Sequence, residues 1–257
     1  MQVNKFGGFI PETVTVSLKS FLNEVHSNEL LLQYISLAQD YVEENKEDAI
    51  ERLKELYEDE TNQASKKMIS LLDSKESDVI FNIRTYEHYF GQMAFSRAMD
   101  NAITYFKDIL GEVIIKKPQI LKTSKESERL DWILEFESID DLRRALAEKK
   151  IAELFYKGID DIERYFKERL GVNLFEDEED KIEFGRFIKE RNLIVHNRGR
   201  ISKEFAKEFP DFEKAPDHYF TFSFEDISVI HLALNNLLCT LDEEIAEKFK
   251  LDRIDNR

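Results

Sequence analysis

The scarcity of turn-forming residues is the feature that most constrains what this chain can fold into. Its 257 residues include only 8 Gly and 4 Pro. Tight turns and β-hairpins depend on these two residue types, whereas helix interiors disfavour them. Hydrophobic residues make up 42% of the chain, which is enough for a sizeable core. The composition therefore predicts an all-α protein, a helical bundle whose antiparallel helices are joined by modest loops.

Apolar residues recur at the helical period along most of the chain. The predicted helices cover 11–26, 30–44, 48–72, 78–110, 127–136, 138–156, 158–170, the segment around 184–197, and a last helix that begins after Ser223. Residues 1–10 are expected to form a short arm. The polar segment 73–77 predicts a boundary between an N-terminal helical extension, 1–77, and a helical domain, 78–257. Alanines at Ala94, Ala98 and Ala102 predict close approach of another helix along that ridge.

The charge balance is strongly acidic, but it is uneven. The formal net charge of −16 disfavours a nucleic-acid partner for the surface as a whole, because carboxylates repel phosphates. Between Arg186 and Lys203, however, six residues are basic and only Glu190 is acidic. The field that a ligand meets is local, so this segment remains compatible with binding RNA.

Cysteine content and hydropathy indicate a soluble cytoplasmic protein with no membrane partner. The single cysteine, Cys239, excludes an internal disulfide, and its apolar neighbours predict a buried residue rather than a nucleophile. No apolar run approaches the roughly 20 residues that span a bilayer, and the N-terminus lacks the pattern of a signal peptide. The remaining histidines are scattered without metal-ligand spacing, so no metal and no cofactor are expected.

The segment around 184–197 carries the least ordinary pattern in the chain. Its predicted apolar stripe passes through Phe184 and Ile188, and the next positions on that stripe are Arg191 and Val195. An arginine therefore stands where the pattern calls for a core residue. Nearby, Asn192 and His196 are four residues apart and are neighbours on the helix surface. Gly199 is expected to end the helix, which places His196 in the last turn, where the helix dipole favours a cation.

The sequence from Arg191 to His196 has the pattern R-N-x-x-x-H and resembles the signature of the HEPN superfamily. The flanking Glu190 and the segment 197–199 strengthen the likeness, and the order of helices over about 78–250 is similar as well. Residues 1–77 lie outside the resemblance. It implies a homodimer in which two motif helices face each other and build one composite site. Many members of the superfamily are metal-independent endoribonucleases, and they commonly act as toxins or as abortive-infection and anti-phage effectors.

The motif residues suit that chemistry. RNA supplies its own nucleophile, the 2′-hydroxyl, whose proton must be accepted while the leaving oxygen receives one. Histidine, with an ordinary pKa of about 6.5, serves in either role, so His196 is the expected acid and base. Arg191 is expected to stabilise the charged phosphorane, and Asn192 to orient His196 or to donate to phosphate. Further RNA contacts are expected from four neighbouring residues, namely Lys189, Asn197, Arg198 and Arg200.

Three interpretations stay open from the sequence. The first is the HEPN-type endoribonuclease, with RNA as substrate and an antitoxin or other protein regulator as a partner. The second is a catalytically silent HEPN dimer that acts as a scaffold or regulatory interaction module. In the third, Arg191 pairs with a Glu of a neighbouring helix and His196 merely satisfies carbonyl groups at the helix end. RNA cleavage in EDTA separates the first from the others, and size measurement separates the second from the third.

Overall fold

The structure, a computed structural model, describes residues 2–3, 9–57, 63–72, 84–122, 127–212 and 218–256. These residues are mostly helical, which confirms the all-α class in its coarse form. The α-helices are α1 (Val16–Glu44), α2 (Lys46–Leu56), α3 (Gln63–Leu72), α4 (Arg84–Lys116), α5 (Leu130–Ile133), α6 (Ile139–Lys157), α7 (Ile159–Tyr165), α8 (Glu178–Asn197), α9 (Lys203–Glu208) and α10 (Phe224–Phe249). Short 3-10 turns cover Pro118–Leu121 and Pro210–Phe212, and a π-helical turn, Phe166–Leu170, follows α7.

Two short antiparallel strand pairs accompany the helices. Strand β1 (Gln2–Val3) pairs with β2 (Phe9–Ile10), where the sequence predicted only an arm. Strand β3 (Thr13–Val14) pairs with β4 (Ile254–Asp255), which joins the two ends of the chain.

Several predicted helix boundaries are corrected by the structure. The segments 11–26 and 30–44 belong to one continuous helix, α1. No Gly or Pro interrupts it, and Asn28 donates its side-chain amide to the Ala94 carbonyl oxygen at 3.1 Å instead of breaking the helix. The predicted helix 48–72 corresponds to α2 and α3, with 58–62 outside the described residues. The predicted boundary between 77 and 78 also lies outside them.

Local capping explains where three helices begin. Ser138 accepts a hydrogen bond from the Asp141 amide at the start of α6, and Ser202 accepts one from Phe205 at the start of α9. At α10 the capping is reciprocal, because Asp226 donates its amide to the Ser223 hydroxyl while its carboxylate accepts from the Ser223 amide.

The chain forms two compact units. Unit 1 comprises 1–25, 98–192 and 229–257, and unit 2 comprises 26–97 and 193–228. Helices α1, α4, α8 and α10 each contribute residues to both units.

A buried carboxylate anchors the start of α1 within unit 1. Asp242 is fully buried and accepts hydrogen bonds from the Thr15 amide and hydroxyl and from the Tyr105 hydroxyl. Burial raises the pKa of Asp242, although these hydrogen bonds oppose the shift. Aromatic side chains pack around this anchor, with Tyr105 edge-on to both Phe21 and Phe106. The interaction ties α10 to the first turn of α1.

Unit 2 has an aromatic core of its own. Phe205, Phe220, Ile201 and Ala206 are buried together, and Leu193 and Ile194 from the end of α8 pack against them. Gly91 lies so close to the Phe222 carbonyl oxygen that a Cβ atom would be 2.1 Å from it. A residue without a side chain is therefore required at this point of α4.

Cys239 is buried, as predicted, and burial raises the pKa of its thiol to about 12. Among the described helices, none is long and apolar enough to cross a membrane.

Candidate active site

Helix α8, which carries the candidate residues, begins with a well-defined cap. The Asp177 carboxylate accepts hydrogen bonds from the amides of Glu179 and Asp180 at 2.9 and 3.0 Å. The first turn is acidic, which complements the positive end of the helix dipole.

The buried face of α8 is not the stripe that the sequence predicted. The buried residues are Phe184, Phe187 and Glu190, so the face passes through Glu190 instead of Arg191. Phe184 packs against Phe106 and Phe175, with ring centroids 5.7 and 5.5 Å apart. The predicted stripe took a first step of four residues, from Phe184 to Ile188, whereas the buried face takes steps of three, from Phe184 to Phe187 and then to Glu190. The residue that stands in a core position is therefore a glutamate.

Glu190 is a buried carboxylate with incomplete hydrogen bonding. Only 1% of its side chain is exposed, and one oxygen accepts from the Arg186 guanidinium at 2.9 Å. Its second oxygen, Oε2, is buried without a partner. Burial raises the pKa of Glu190 to about 7, and the nearby Arg186 only partly offsets this. Glu190 thus changes charge near neutral pH, one residue before the motif.

Arg191 is a quarter exposed and is held by two side chains. Its Nη2 atom lies 2.8 Å from a carboxylate oxygen of Asp100 on α4, and its Nη1 donates to the Asn192 amide oxygen at 3.1 Å. Its Nε atom is buried and has no hydrogen-bond partner. The ion pair with Asp100 fixes the guanidinium on the flank of α8 and lowers the net positive charge that it presents.

The end of α8 is fixed by two residues with left-handed backbone conformation. Arg198 has φ of 56° and Gly199 has φ of 75°, and the Gly199 amide donates to the Leu193 carbonyl oxygen at 3.1 Å. A Cβ atom at Gly199 would be about 2.5 Å from the Gln92 side chain. Conformation and space both favour glycine here, as expected for a residue that ends a helix.

His196 lies in the last turn of α8 and is exposed. Within the part of the chain that the structure describes, its imidazole makes no hydrogen bond, so it is open to a ligand. Val195 is 49% exposed, which leaves an apolar side chain on the surface next to the histidine. Asn192 is exposed as well.

The four residues predicted to contact RNA are exposed, but their surroundings differ. Asn197 donates its side-chain amide to the Arg200 carbonyl oxygen at 3.0 Å, which stabilises the loop after α8. Arg200 forms a β-bridge with Tyr219, so its backbone is fixed. Lys189 and Arg198 project from the surface of α8 and of its C-terminal turn. Asn197 is therefore engaged in loop structure, whereas the other three present cations.

The division between the two units falls inside the motif, after Asn192. Arg191 and Asn192 belong to unit 1, and His196 belongs to unit 2, although all three lie on one helix. The roles of these residues in catalysis and in RNA binding remain predictions.

Two residues near the motif, Asp100 and Glu190, were not assigned a structural or chemical role by sequence reasoning. Nothing in the sequence around Asp100 indicates its role, because only the packing of α4 brings it to Arg191. Glu190 had a weak signal, namely an arginine four residues earlier at a position that favours an ion pair on a helix.

Among the described residues no group of three or more His, Cys, Asp or Glu side chains has an arrangement that could hold a metal ion. Comparisons with protein-family models, with curated proteins and with solved structures found no match to this chain.

Proposed function

We propose that the protein is a metal-independent endoribonuclease of HEPN type that acts as a toxin or anti-phage defence effector. In this proposal two copies of the chain place their α8 helices together and form one composite site. Each copy contributes Arg191, Asn192 and His196. Lys189, Asn197, Arg198 and Arg200 bind the RNA around the cleaved bond.

The observation that supports the proposal is the state of the motif side chains at the end of α8. His196 is exposed in the last helical turn, where the helix dipole favours a positive charge. Arg191 is anchored by Asp100 and Asn192 yet keeps a quarter of its side chain exposed. A residue for proton transfer and a positioned cation are the two elements that cleavage through the 2′-hydroxyl requires.

The reaction follows from these two groups. The 2′-oxygen attacks the adjacent phosphorus, and one His196 accepts its proton as the new P–O bond forms. The bond to the 5′-oxygen breaks, and the second His196 of the dimer donates a proton to that oxygen. Arg191 stabilises the additional negative charge on the phosphorane oxygens. The products are a 2′,3′-cyclic phosphate and a 5′-hydroxyl.

Asp100 and Asn192 shape how Arg191 takes part. Both Nη atoms of the guanidinium are occupied in the free protein, and Nε is buried. Each Nη atom still has a second N–H group, so an incoming phosphate either accepts from that group or replaces one of these partners. Asn192 is exposed and is the neutral partner, so its displacement costs less than separating the ion pair with Asp100.

A catalytically silent HEPN dimer, acting as a scaffold or regulatory module, is the second candidate. The observation that favours it is the ion pair between Arg191 and Asp100. A guanidinium whose charge is already compensated resembles a structural arginine, and the acidic surface suits binding to other proteins more than to RNA.

Incubation of purified protein with total RNA in EDTA tests the first candidate. We expect cleavage that leaves 2′,3′-cyclic phosphate ends. Arg191→Ala removes the charge at the phosphorane and is expected to lower the rate about 10²- to 10³-fold. Arg191→Lys is expected to restore little of it, because an ammonium group lacks the planar fork.

Arg143→Ala is the matched control, because Arg143 also pairs with an aspartate, Asp140, at 3.0 Å but lies on α6 and not on the motif helix. It is expected to leave the rate unchanged. Intact RNA after incubation with the parent protein, free of any inhibitor, favours the silent dimer. Cleavage that stops in EDTA contradicts the mechanism.

The role as a toxin or defence effector has its own test. Expression in a bacterial host is expected to stop growth, and His196→Ala is expected to relieve this effect. If the His196→Ala protein is equally toxic, RNA cleavage is not the cause.

A further inference from the structure

Helix α1 has apolar residues on two sides within unit 2. On the inner side Leu32 is buried, Ile35 and Val42 are half-buried, and Asn28 bonds to α4. The outer side carries a second row, which is 50% to 72% exposed and consists of Leu30, Tyr34, Leu37 and Tyr41. A helix that is apolar on opposite sides is normally covered on both. In α1 the outer row, called the α1 stripe below, lacks a cover among the described residues.

The spacing of the α1 stripe matches a helix–helix contact. Its four residues follow one another at intervals of four, three and four positions. Alternating steps of four and three are the spacing of the apolar seam along which two helices pack. Leu31, which is 56% exposed, borders the seam and widens the apolar surface.

The stripe also lacks charge, in a chain where charge is abundant. Charged residues make up 35% of the protein, yet residues 30–39 include none, and Asp40 is the first. Helix α2 is the contrast, since it has no buried residue and is rich in Lys, Glu and Asp. A charge-free, apolar and exposed row indicates a protein contact.

We propose that the α1 stripe is a self-association surface that packs against the same stripe of a second copy of this chain. Two copies that each carry a net charge of −16 repel each other over most of their surfaces. A neutral row is the part of the surface where a two-fold contact brings few like charges together. A strongly charged partner would find no complementary charge on this row. An anionic membrane would require basic residues beside it, and residues 30–39 offer none. This inference does not depend on the proposed nuclease activity.

Light scattering of the full chain at several concentrations tests the proposal. Leu37→Glu puts a carboxylate in the middle of the seam and is expected to halve the particle mass, from a dimer to one copy or, where the α8 helices also pair, from a tetramer to a dimer. Leu134→Glu is the control, because Leu134 is also exposed, at 74%, but lies in unit 1. It is expected to leave the mass unchanged. Added salt is expected not to dissociate the assembly, since no ion pairs hold the seam together.

One further variant, a double substitution, keeps the test decisive. Tyr34→Ser combined with Leu37→Ser removes apolar area without adding charge, and it is expected to halve the mass as well. Thermal melting of each variant checks that the fold is retained. A single-copy parent protein at high micromolar concentration overturns the proposal. An unchanged mass in the folded Leu37→Glu variant also overturns it. If that variant keeps its mass but no longer binds phosphatidylcholine vesicles, the α1 stripe contacts a membrane and the proposal is likewise overturned. None of these readings involves RNA, so they are distinguishable from a failure of the nuclease.

Discussion

The two ends of α8 contrast in how they use polar residues. Towards the N-terminal end, Phe184 and Phe187 are buried, and Glu190 is buried with them. At the C-terminal end, Asn192, His196 and Arg198 are exposed. The first region holds the helix in unit 1, and the second presents hydrogen-bonding and titratable groups to solvent. One helix thus separates residues that stabilise the fold from residues that are available for chemistry.

The contrast has an exception that is instructive. Glu190 belongs to the buried region, yet its Oε2 atom has no partner and its pKa is raised to about 7. Asp242, in contrast, accepts three hydrogen bonds in its buried position. Burial raises the pKa of both carboxylates, but three hydrogen bonds oppose the shift at Asp242, whereas at Glu190 only the Arg186 guanidinium does so. A charged buried carboxylate costs more stability when one of its oxygens lacks a partner. We expect that the charge on Glu190 at neutral pH lowers the stability of the region next to the motif, although the region is well packed.

The largest effect is expected at the exposed end. His196→Ala removes the group proposed to transfer protons, and the cleavage rate is expected to fall about 10²- to 10⁴-fold with no change in the melting temperature. His26→Ala, at another exposed histidine, is the control and is expected to have no effect. A large drop in the stability of the His196→Ala variant would break the contrast, because it would show that the histidine supports the fold.

The next effect concerns the buried end. Phe184→Ala leaves a cavity between the rings of Phe106 and Phe175, and it is expected to lower the free energy of unfolding by about 3–5 kcal/mol. Urea denaturation measures this. Ile182→Ala on the same helix is expected to change it by less than about 0.5 kcal/mol, because Ile182 is exposed. Equal losses for the two variants would contradict the assigned buried face.

Glu190 sharpens the comparison through its pH dependence. The pKa of Glu190 is about 7 in the folded protein and 4.5 without the protein environment, so the folded state holds a proton that the unfolded chain has released between these values. The protonated Glu190 therefore adds to the free energy of unfolding. This contribution is complete below pH 4.5 and is lost as the pH rises through 7, and the total loss is about 3 kcal/mol. Glu190→Gln is expected to flatten this fall and to be more stable than the parent at pH 8.

Urea midpoints between pH 4.5 and 8 measure the difference between the parent and the Glu190→Gln variant. Glu183→Gln, at a carboxylate that is 58% exposed, is the control. Parallel curves for the parent and for Glu190→Gln would mean that Glu190 is hydrated in solution.

The smallest effect is expected from the cations after the helix. The double variant Arg198→Ala with Arg200→Ala is expected to weaken RNA affinity several-fold at low salt and much less at high salt. Filter binding at several salt concentrations measures this, and the slope of log affinity against log salt is expected to become shallower by about 1 to 2. Equal weakening at all salt concentrations would show that these arginines do not contact phosphates.

The sequence was sufficient for the helical class and for most helix positions, for reasons that are local. Scarce Gly and Pro, apolar periodicity and the caps at Ser138 and Ser223 all act within a few residues. It was not sufficient for the rotation of α8. Two overlapping stripes begin at Phe184, one through Ile188 and Arg191 and the other through Phe187 and Glu190. Only the packing of aromatic rings from other helices selects the second stripe as the buried face. Residues four apart and three apart look equally periodic in a short segment.

The partner of Arg191 was beyond sequence reasoning for a related reason. Asp100 is 91 positions away in the chain, and nothing in its local sequence distinguishes it from the other acidic residues. The pairing depends on how α4 and α8 pack. The motif itself was identifiable because Arg191, Asn192 and His196 lie close together in the chain.

The central claim is that His196 and Arg191 cleave RNA through its own 2′-hydroxyl. The most direct measurement uses an RNA oligonucleotide with one mapped cleavage site and a second oligonucleotide in which the 2′-hydroxyl at that site is replaced by hydrogen, both incubated with the parent protein in EDTA. The account predicts that the first is cut to a 2′,3′-cyclic phosphate and that the second stays intact at the modified position. Cleavage of the modified oligonucleotide at the same position would contradict it.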